Sequence, residues 1–303
     1  MSRNKARGTL LGLACGDALG RPVEFKSRGE IQTEYGTVDE MIGYGTWGKP
    51  AGTITDDTEQ ALCIARSLTE QGAFDPTDVA DRFVAWFNSG PFDVGRMTAK
   101  ALRRLDRGES WEEAGQSVWE ESAEGANAGN GSVMRCPPLA IAFADDFGTL
   151  QQVSRQSSQI THADPRCTYG CAILNHTIAG HLTEQPDPLT DALDDLENDA
   201  PAELLDALRP ILRSDELDKL ETSGYVVHSL QTALQDALTS DTAEEAIVTA
   251  VNRGGDTDTI GAIAGAVAGA RFGAESLPER WLDALEHHQE LNDLAKQLKE
   301  CKQ

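Results

Sequence analysis

The sequence predicts an all-α fold, and three observations support this prediction. Apolar residues recur three or four positions apart along most of the 303-residue chain, which is the spacing of one helix face. Sustained alternation of period two, which would indicate strands, is hard to find. Aromatic residues make up only 6% of the chain and small residues are common, which suits helices that pack closely. The chain is long enough for one large domain with a sizeable core.

The helices can be placed in order from this spacing. Several starts are also readable, such as Thr58 with Glu59 close behind, Asp75 before a proline, and Asp241 before a glutamate-rich first turn. The predicted helices cover residues 7–19, 58–68, 79–88, 98–105, 153–159, 166–182, 226–238, 243–251, 260–272 and 282–298.

The connections between these helices are unusual. Residues 29–53 contain six glycines together with Tyr44 and Trp47, and residues 121–138 are rich in Gly and Asn. Long irregular loops inside a helical domain are usually functional. Residues 183–221 differ, because they are strongly acidic and carry leucines at helical spacing. We expect a single domain over residues 1–303, with a peripheral helical excursion at about 183–221.

The charge of the chain limits its partners. The net charge is −24, from 26 basic and 50 acidic residues. Such an excess argues against a nucleic-acid groove or an anionic membrane surface, because both partners are polyanions. Arginine (18) outnumbers lysine (8), and an acidic, lysine-poor surface suggests a halophilic protein whose self-repulsion is screened by salt. A merely acidic cytosolic protein is the alternative.

The expected location is the cytoplasm. The first residues do not resemble a signal peptide, and the apolar segment 260–274 is too short and too close to charge for a membrane span. None of the six cysteines forms a C-x-x-C pair. Cys167 and Cys171 are four apart and are expected to pack on one helix face. We therefore expect a reduced, cytoplasmic protein with no membrane partner.

The segment GTITDDT, residues 52–58, places the adjacent carboxylates of Asp56 and Asp57 beside the Thr55 hydroxyl. Adjacent carboxylates repel each other, and burying both requires a compensating cation. Hydroxyl and carboxylate oxygens suit hard cations such as Mg²⁺, Mn²⁺ or Ca²⁺. The alternative is a helix N-cap, which would explain one Asp but not the whole group.

A second acidic segment, GGDTDTIG at residues 254–261, precedes a helix of small residues. The glycine pair allows a tight turn, so Asp256 and Asp258 can converge on one cation, with Thr259 adding an oxygen. An isolated D-x-D is a weak indication. Together the two segments offer four carboxylates and two threonine hydroxyls, enough for two metal ions about 3.5–4 Å apart.

Other segments carry single candidate groups. The backbone N–H groups of GNGS, residues 129–132, could cradle a phosphate without lysine, although an ordinary turn is the alternative. Glu24 follows a helix end, where a loop carboxylate could reach a substrate, whereas Asp17 inside that helix is expected to be structural. An isolated histidine such as His162 is more often a hydrogen-bonding or packing residue than a catalyst. A serine hydrolase is not indicated, because no G-x-S-x-G elbow is present.

Taken together, these segments resemble those of the ADP-ribosylglycohydrolases. The resemblance runs from residue 8 to about 281 and is very specific because of the order and spacing of its motifs: GDALGRPVEF, GTITDDTEQAL, GNGSVMRCPPLA, THADPR, SGYVVHSLQTAL and NRGGDTDTIGAIAGAVAGARFG. It implies an all-α orthogonal helical bundle with a binuclear Mg²⁺ or Mn²⁺ centre in a cleft. The metal ligands that it implies are Thr55, Asp56, Asp57, Asp256, Asp258 and Thr259.

The resemblance also implies substrate-binding and catalytic residues. ADP-ribose would be lined by Gly129, Asn130, Gly131 and Ser132, with His162 and Tyr225 near the same cleft. Two acids compete for the general acid/base role. Glu24 matches the flap glutamate of the ADP-ribosylserine-type hydrolases. Asp93 resembles the loop aspartate of the arginine-type enzymes, or is a simple turn residue after Pro91.

The expected function is metal-dependent hydrolysis of the glycosidic bond of an ADP-ribosylated protein or small molecule, with release of ADP-ribose. Two alternatives are hydrolysis of another ribosyl or nucleoside-like glycoside, and a non-enzymatic crystallin-like relative. The sequence leaves open the leaving group (arginine, serine or other), the native metal, the oligomeric state and the physiological target.

Overall fold

The protein folds as an all-α structure, as predicted. The computed structural model describes residues 2–213 and 220–300, and within them extended segments pair only at three isolated bridges. The described residues form sixteen α-helices, numbered α1 to α16, and four short 3₁₀-helices. The helix bounds are Arg3–Gly20, Arg28–Glu34, Asp56–Gln71, Pro76–Asn88, Arg96–Leu105, Trp111–Glu121, Pro137–Ala142, Phe147–Gln159, Pro165–Leu182, Pro188–Asp195, Ala202–Leu208, Val226–Thr239, Ala243–Val251, Thr257–Phe272, Glu279–Ala284 and His288–Leu298.

Helices α1 and α14 form the centre of the fold. They run antiparallel and are buried along almost their whole length. A Cβ atom on Gly12 would lie 2.1 Å from the carbonyl oxygen of Gly265, so only glycine permits this approach. The facing pairs are Gly8 and Gly269, Gly12 and Gly265, and Gly16 and Gly261. The small residues of the sequence therefore bring two backbones into direct contact at the core.

The other helices surround this pair. Helices α9, α12 and α13 pack against α14, whereas α3 and α16 pack against α1. The carboxyl end of α1 lies beside the amino ends of both α3 and α14. The contact with α14 is a hydrogen bond of 2.8 Å from the Thr257 hydroxyl to the carbonyl oxygen of Gly20. Three helix ends thus meet at one place, and both acidic segments lie there.

Three parts of the predicted helix pattern were wrong. The helix predicted over residues 282–298 is two helices, α15 and α16. They are separated at residues 285–287, where the N–H of Glu286 donates to the carbonyl oxygen of Gly52 and His287 has a positive φ of 57°. The 29–53 connection is not wholly irregular, because it begins with most of helix α2. Helices α6 and α7 were not predicted either.

The acidic excursion is helical where it is described. Helices α10 and α11 and a 3₁₀-helix at Arg209–Arg213 pack against α9 and α12. Residues 214–219, within the predicted excursion, lie outside the described residues. Cys167 and Cys171 are buried in α9, as expected for packing thiols. A bilayer-spanning helix, with the necessary length and apolar character, is not found among the helices described here.

Candidate active site

The first acidic segment lies at the amino end of α3. Thr55 is the N-cap residue, and its backbone N–H lies 3.0 Å from each carboxylate oxygen of Asp17. The backbone N–H and the hydroxyl of Thr58 also donate to Asp17, at 3.2 and 2.5 Å. Asp17 therefore ties α1 to α3. Asp56 and Asp57 are buried, and Oδ1 of Asp57 has no hydrogen-bond partner among the described residues.

The second acidic segment lies at the amino end of α14. The Asp256 carboxylate accepts a hydrogen bond of 2.7 Å from the side-chain amide of Asn130. Asp258 accepts a hydrogen bond of 2.9 Å from the backbone N–H of Thr259. The turn before Asp256 pairs with the Glu24 segment, because the N–H of Phe25 donates to the carbonyl oxygen of Gly255 at 2.8 Å. This pairing places Glu24 beside the second segment.

The carboxylates of these segments converge. Glu24, Asp93 and Asp258 each place a carboxylate oxygen within 4.8 Å of the other two. Asp57 interacts electrostatically with the carboxylates of Asp56 and Asp256. Over the described residues, no lysine, arginine or histidine forms an ion pair with Glu24, Asp93 or any aspartate of the two segments. The structure therefore brings the acids of both segments together with Glu24 and the partly buried Asp93. Within the described residues this cluster forms no ion pair, and the buried guanidiniums of Arg21 and Arg135 act on it only at longer range.

The pKa values of these acids reflect this crowding. Burial, and then the charge of Asp93, raises the pKa of Glu24 to about 8. Burial, and then the charge of Asp17, raises the pKa of Asp93 to about 7. The pKa of Asp258 is raised well above its usual value by burial and then by Glu24. Buried carboxylates at this density need a compensating cation to remain charged. Carboxylate oxygens are the ligands that divalent cations such as Mg²⁺ prefer, and Oδ1 of Asp57 is free of hydrogen bonds within the described residues. The site therefore fits a divalent cation.

The glycine-rich loop 129–132 lies against this cluster. Its Asn130 side chain bridges the Asp256 carboxylate and the hydroxyl of Ser229, at 2.7 and 2.9 Å. A Cβ atom on Gly131 would lie 2.9 Å from the imidazole ring of His162, so this position needs glycine. Gly129 pairs with Tyr225 in an isolated bridge. Ser132 is buried, and its hydroxyl accepts a hydrogen bond of 2.9 Å from Ser158.

His162 and Tyr225 occupy different environments near this loop. His162 is buried, which lowers the pKa of its imidazole to about 3, so the ring is neutral. Its Nδ1 lies 2.7 Å from the hydroxyl of Thr161. Tyr225 is only partly buried, and its hydroxyl donates to Glu203 at 2.6 Å. His162 therefore supports the loop from inside, whereas the Tyr225 ring is partly exposed, with the Arg166 guanidinium 5.5 Å from its centroid.

Two residues outside the predicted site, Arg135 and Gln60, connect the acidic cluster to His162. The fully buried Arg135 donates to the side-chain oxygen of Gln60 and, at 2.7 Å, to the hydroxyl of Thr161. The side-chain nitrogen of Gln60 donates to Asp56 at 3.1 Å. A chain of hydrogen bonds thus runs from Asp56 to His162. Gln60 lies four residues after Asp56, one turn along α3, so the two side chains share a helix face, but this spacing alone does not reveal its buried partner Arg135.

Comparison with known proteins identifies the family to which this chain belongs. A family model described as ADP-ribosylglycohydrolase matches residues 1–303. The chain belongs to the ADP-ribosylglycohydrolase family. The family assignment made from the sequence motifs is therefore confirmed, together with the all-α fold. As an ADP-ribosylglycohydrolase, the protein is a hydrolase of the glycosidase class.

Individual relatives cover most of this ADP-ribosylglycohydrolase. The ADP-ribosyl-[dinitrogen reductase] glycohydrolase of Rhodospirillum rubrum is 35% identical over 292 residues, covering 93% of this chain and 90% of the relative. The ADP-ribosylarginine hydrolase Tri1 of Serratia proteamaculans is 32% identical, covering 98% of this chain and 79% of the relative. A solved ADP-ribosylglycohydrolase-related protein complex superposes with a TM-score of 0.83 at 33% identity, over 99% of both chains.

Proposed function

We propose that this ADP-ribosylglycohydrolase removes ADP-ribose from arginine side chains of modified proteins, using two divalent metal ions, Mg²⁺ or Mn²⁺. The observation that carries the proposal is the acidic cluster, which forms no ion pair among the described residues and lies against the glycine-rich loop. The names of the two relatives, which refer to dinitrogen reductase and to arginine, favour a protein-linked substrate.

The proposed metal ligands are the oxygens at the amino ends of α3 and α14. The buried carboxylates and hydroxyls support this assignment, because divalent cations bind such oxygens and would neutralise their charge. Bound cations would supply Lewis acidity, which orients the ribose hydroxyls and lowers the pKa of water. The proposed ligands are Thr55, Asp56, Asp57, Asp256, Asp258 and Thr259.

Acidic side chains of the protein would transfer the protons of the reaction. Hydrolysis breaks the bond between the anomeric carbon of ribose and the acceptor nitrogen. Water provides a hydroxyl to that carbon and a proton to the departing nitrogen. Glu24 and Asp93 are the proposed general acid/base candidates, since each places a carboxylate oxygen within 4.8 Å of Asp258. The negative cluster would also stabilise the positive charge that develops on ribose.

ADP-ribose itself would bind along the glycine-rich loop. We assign the diphosphate and ribose to Gly129, Asn130, Gly131 and Ser132. Backbone N–H groups suit phosphate, and this fits a loop that contains no lysine. Because His162 is neutral and buried, its role here would be to hold the loop rather than to transfer protons. The partly exposed ring of Tyr225 would offer a stacking surface.

The first test is release of free ADP-ribose from an arginine-ADP-ribosylated protein with Mg²⁺ or Mn²⁺, with and without EDTA. We expect release that stops when EDTA removes the metal. Release that is equally fast in EDTA would contradict the metal-dependent mechanism. Release from serine-linked or small-molecule conjugates alone would retain the reaction class but exclude arginine as the acceptor.

A variant of the proposed metal site sharpens this test. Asp258→Ala should remove a ligand and lower activity by more than the roughly 10- to 100-fold that outer-shell changes cause. Asp283→Ala, which changes an exposed carboxylate on α15, is the control and should retain full activity. Full activity of Asp258→Ala would refute the assignment.

A further inference from the structure

Aromatic side chains surround the two candidate acids at the surface. Phe25 follows Glu24 directly, and Phe92 directly precedes Asp93. The Trp47 ring joins them, since its centroid lies 6.4 Å from that of Phe25 and 5.7 Å from that of Phe92, both in edge-on contacts. Tyr44 belongs to the same turn as Trp47. We call Phe25, Tyr44, Trp47 and Phe92 the aromatic rim.

The two outer members of the aromatic rim are unusually exposed. Phe25 is 68% exposed and Tyr44 is 74% exposed, the highest values for large hydrophobic side chains in the described part of the chain. Both residues also have a positive φ, 65° and 67°, a conformation that is unfavourable for bulky side chains. Exposure and backbone strain both oppose folding stability. Features of this kind concentrate at binding sites.

The turn that carries Tyr44 and Trp47 is fixed by hydrogen bonds from buried and neighbouring side chains. The Arg21 guanidinium is completely buried and donates to the carbonyl oxygens of Tyr44, Pro50 and Thr53, at 3.2, 2.9 and 3.0 Å. The hydroxyl of Thr46 donates to the carbonyl oxygen of Glu24 at 2.8 Å. The exposed rings therefore stand on a fixed backbone and are not the ends of a loose loop.

The aromatic rim is also hydrogen-bonded to the acidic cluster. The indole N–H of Trp47 donates to the carboxylate of Glu24 at 2.5 Å. Ring faces next to carboxylates attract planar cations, and guanidinium both stacks on rings and pairs with carboxylates. The ring of Phe92 already has a cation over it, because the Lys49 ammonium lies 4.5 Å from its centroid. The net charge of −24 adds long-range attraction for a basic segment.

We propose that the aromatic rim binds the acceptor side of the substrate, namely the modified arginine and the basic segment of protein around it. This inference rests on the proposed function and extends it, because it assigns residues to acceptor recognition. The glycine-rich loop would hold ADP-ribose beside Asp256, while the aromatic rim holds the acceptor beside Glu24 and Asp93. Recognition of the two halves of the substrate would then use separate residues.

The test compares acceptor binding with ADP-ribose binding in the same variants. In Phe25→Gly, the KM for an arginine-ADP-ribosylated peptide with basic flanking residues should rise about tenfold, from lost cation–π and packing contacts. The inhibition constant of free ADP-ribose, which lacks the acceptor, should remain unchanged. Tyr44→Ala should show the same pattern. Tyr35→Ala, which changes an exposed tyrosine outside the aromatic rim, is the matched control.

Protein stability separates this role from a structural one. Glycine adopts a φ of 65° without strain, so Phe25→Gly should melt at or above the temperature of the wild type. An unchanged KM in both rim variants would overturn the inference, as would a fall in kcat alone, which would mean that Phe25 only positions Glu24. If the wild type releases ADP-ribose from serine-linked but not arginine-linked peptide, the inference fails although the hydrolase activity stands. Release from neither peptide would overturn the proposed function as well.

Discussion

At the scale of single residues, the buried guanidinium of Arg135 has the clearest energetic consequence. It has no acidic ion-pair partner among the described residues, lies 4.4 Å over the Phe83 ring, and relies on Gln60 and Thr161 as hydrogen-bond acceptors. Burial lowers its pKa only to about 10, so it stays charged at neutral pH. Gln60 therefore accepts a hydrogen bond from the buried guanidinium of Arg135 with its side-chain oxygen, and orients Asp56 with its side-chain nitrogen.

Replacing this glutamine with an apolar residue of similar size tests both roles. Gln60→Leu should lower the free energy of unfolding by about 2–3 kcal/mol, because it leaves a buried charged group unsatisfied. It should also weaken metal binding by about tenfold, as changes behind a metal ligand do. Urea denaturation and titration calorimetry with Mn²⁺ measure the two effects. Gln116→Leu, on the surface of α6, is the control and should alter neither. An unchanged Mn²⁺ affinity in Gln60→Leu would make this glutamine purely structural.

The sequence could predict the acidic residues but not the residues behind them. Asp56 and Asp57 stand out because adjacent carboxylates need an explanation wherever they are buried. Gln60 does not stand out, since a glutamine on a helix is usually a surface residue. Its burial depends on Arg135, which is distant in sequence and contacts it only through the packing of α3 against α7. Such tertiary partners cannot be deduced from local spacing.

At the scale of helices, the contact of α1 with α14 depends on the absence of side chains. Gly265→Ala would place a Cβ atom 2.0 Å from the carbonyl oxygen of Gly12. Because backbone must move to relieve this overlap, the variant should lose about 1–3 kcal/mol of stability or more. Gly29→Ala is a matched control in α2, where no atom lies within 4 Å of the added Cβ, and should gain up to about 1 kcal/mol. Equal unfolding midpoints for the two variants in urea would contradict this packing.

Prediction of helices from sequence succeeded where one periodic pattern corresponds to one helix, as in α9 and α14, and failed where tertiary contacts decide. The break between α15 and α16 is invisible in the pattern because it depends on a hydrogen bond from Glu286 to Gly52. Helix α2 is only seven residues long and contains Gly29, so its periodicity is weak. Its capping box of Ser27 and Glu30 was nevertheless a readable start signal.

At the scale of the whole molecule, the proposed metal binding at the acidic cluster would couple folding to the metal ion. Metal at 100 times its dissociation constant would add about 2.7 kcal/mol of stability, because only the folded chain assembles the site. The melting temperature should therefore rise with Mg²⁺ or Mn²⁺ and fall with EDTA. Asp258→Ala should lose this dependence, and without metal it should melt above the metal-free wild type because one repelling buried carboxylate is gone. If EDTA leaves the melting temperature of the wild type unchanged, a metal bound at the acidic cluster would be excluded.

The net charge of −24 makes a second prediction at this scale. Self-repulsion destabilises so charged a fold, and salt screens it over a Debye length of about 10 Å at 0.1 M. If the protein is adapted to high salt, its melting temperature should rise steeply with KCl. A neutral osmolyte at equal osmolarity is the control, since it does not screen charge. A flat response to KCl would remove the halophilic interpretation.

The pairing of α1 with α14 also sets when the protein can fold during its synthesis. The residues joined by the hydrogen bond from Thr257 to Gly20 are 237 positions apart. At ribosomal speeds of about 5–20 residues per second, α1 waits roughly 10 to 50 seconds for its partner to be made. During that interval the Thr55–Asp57 half of the acidic cluster exists without the Asp256–Asp258 half. A nascent chain therefore cannot assemble the complete cluster, and the apolar faces of α1 stay open to chaperones until α14 leaves the ribosome.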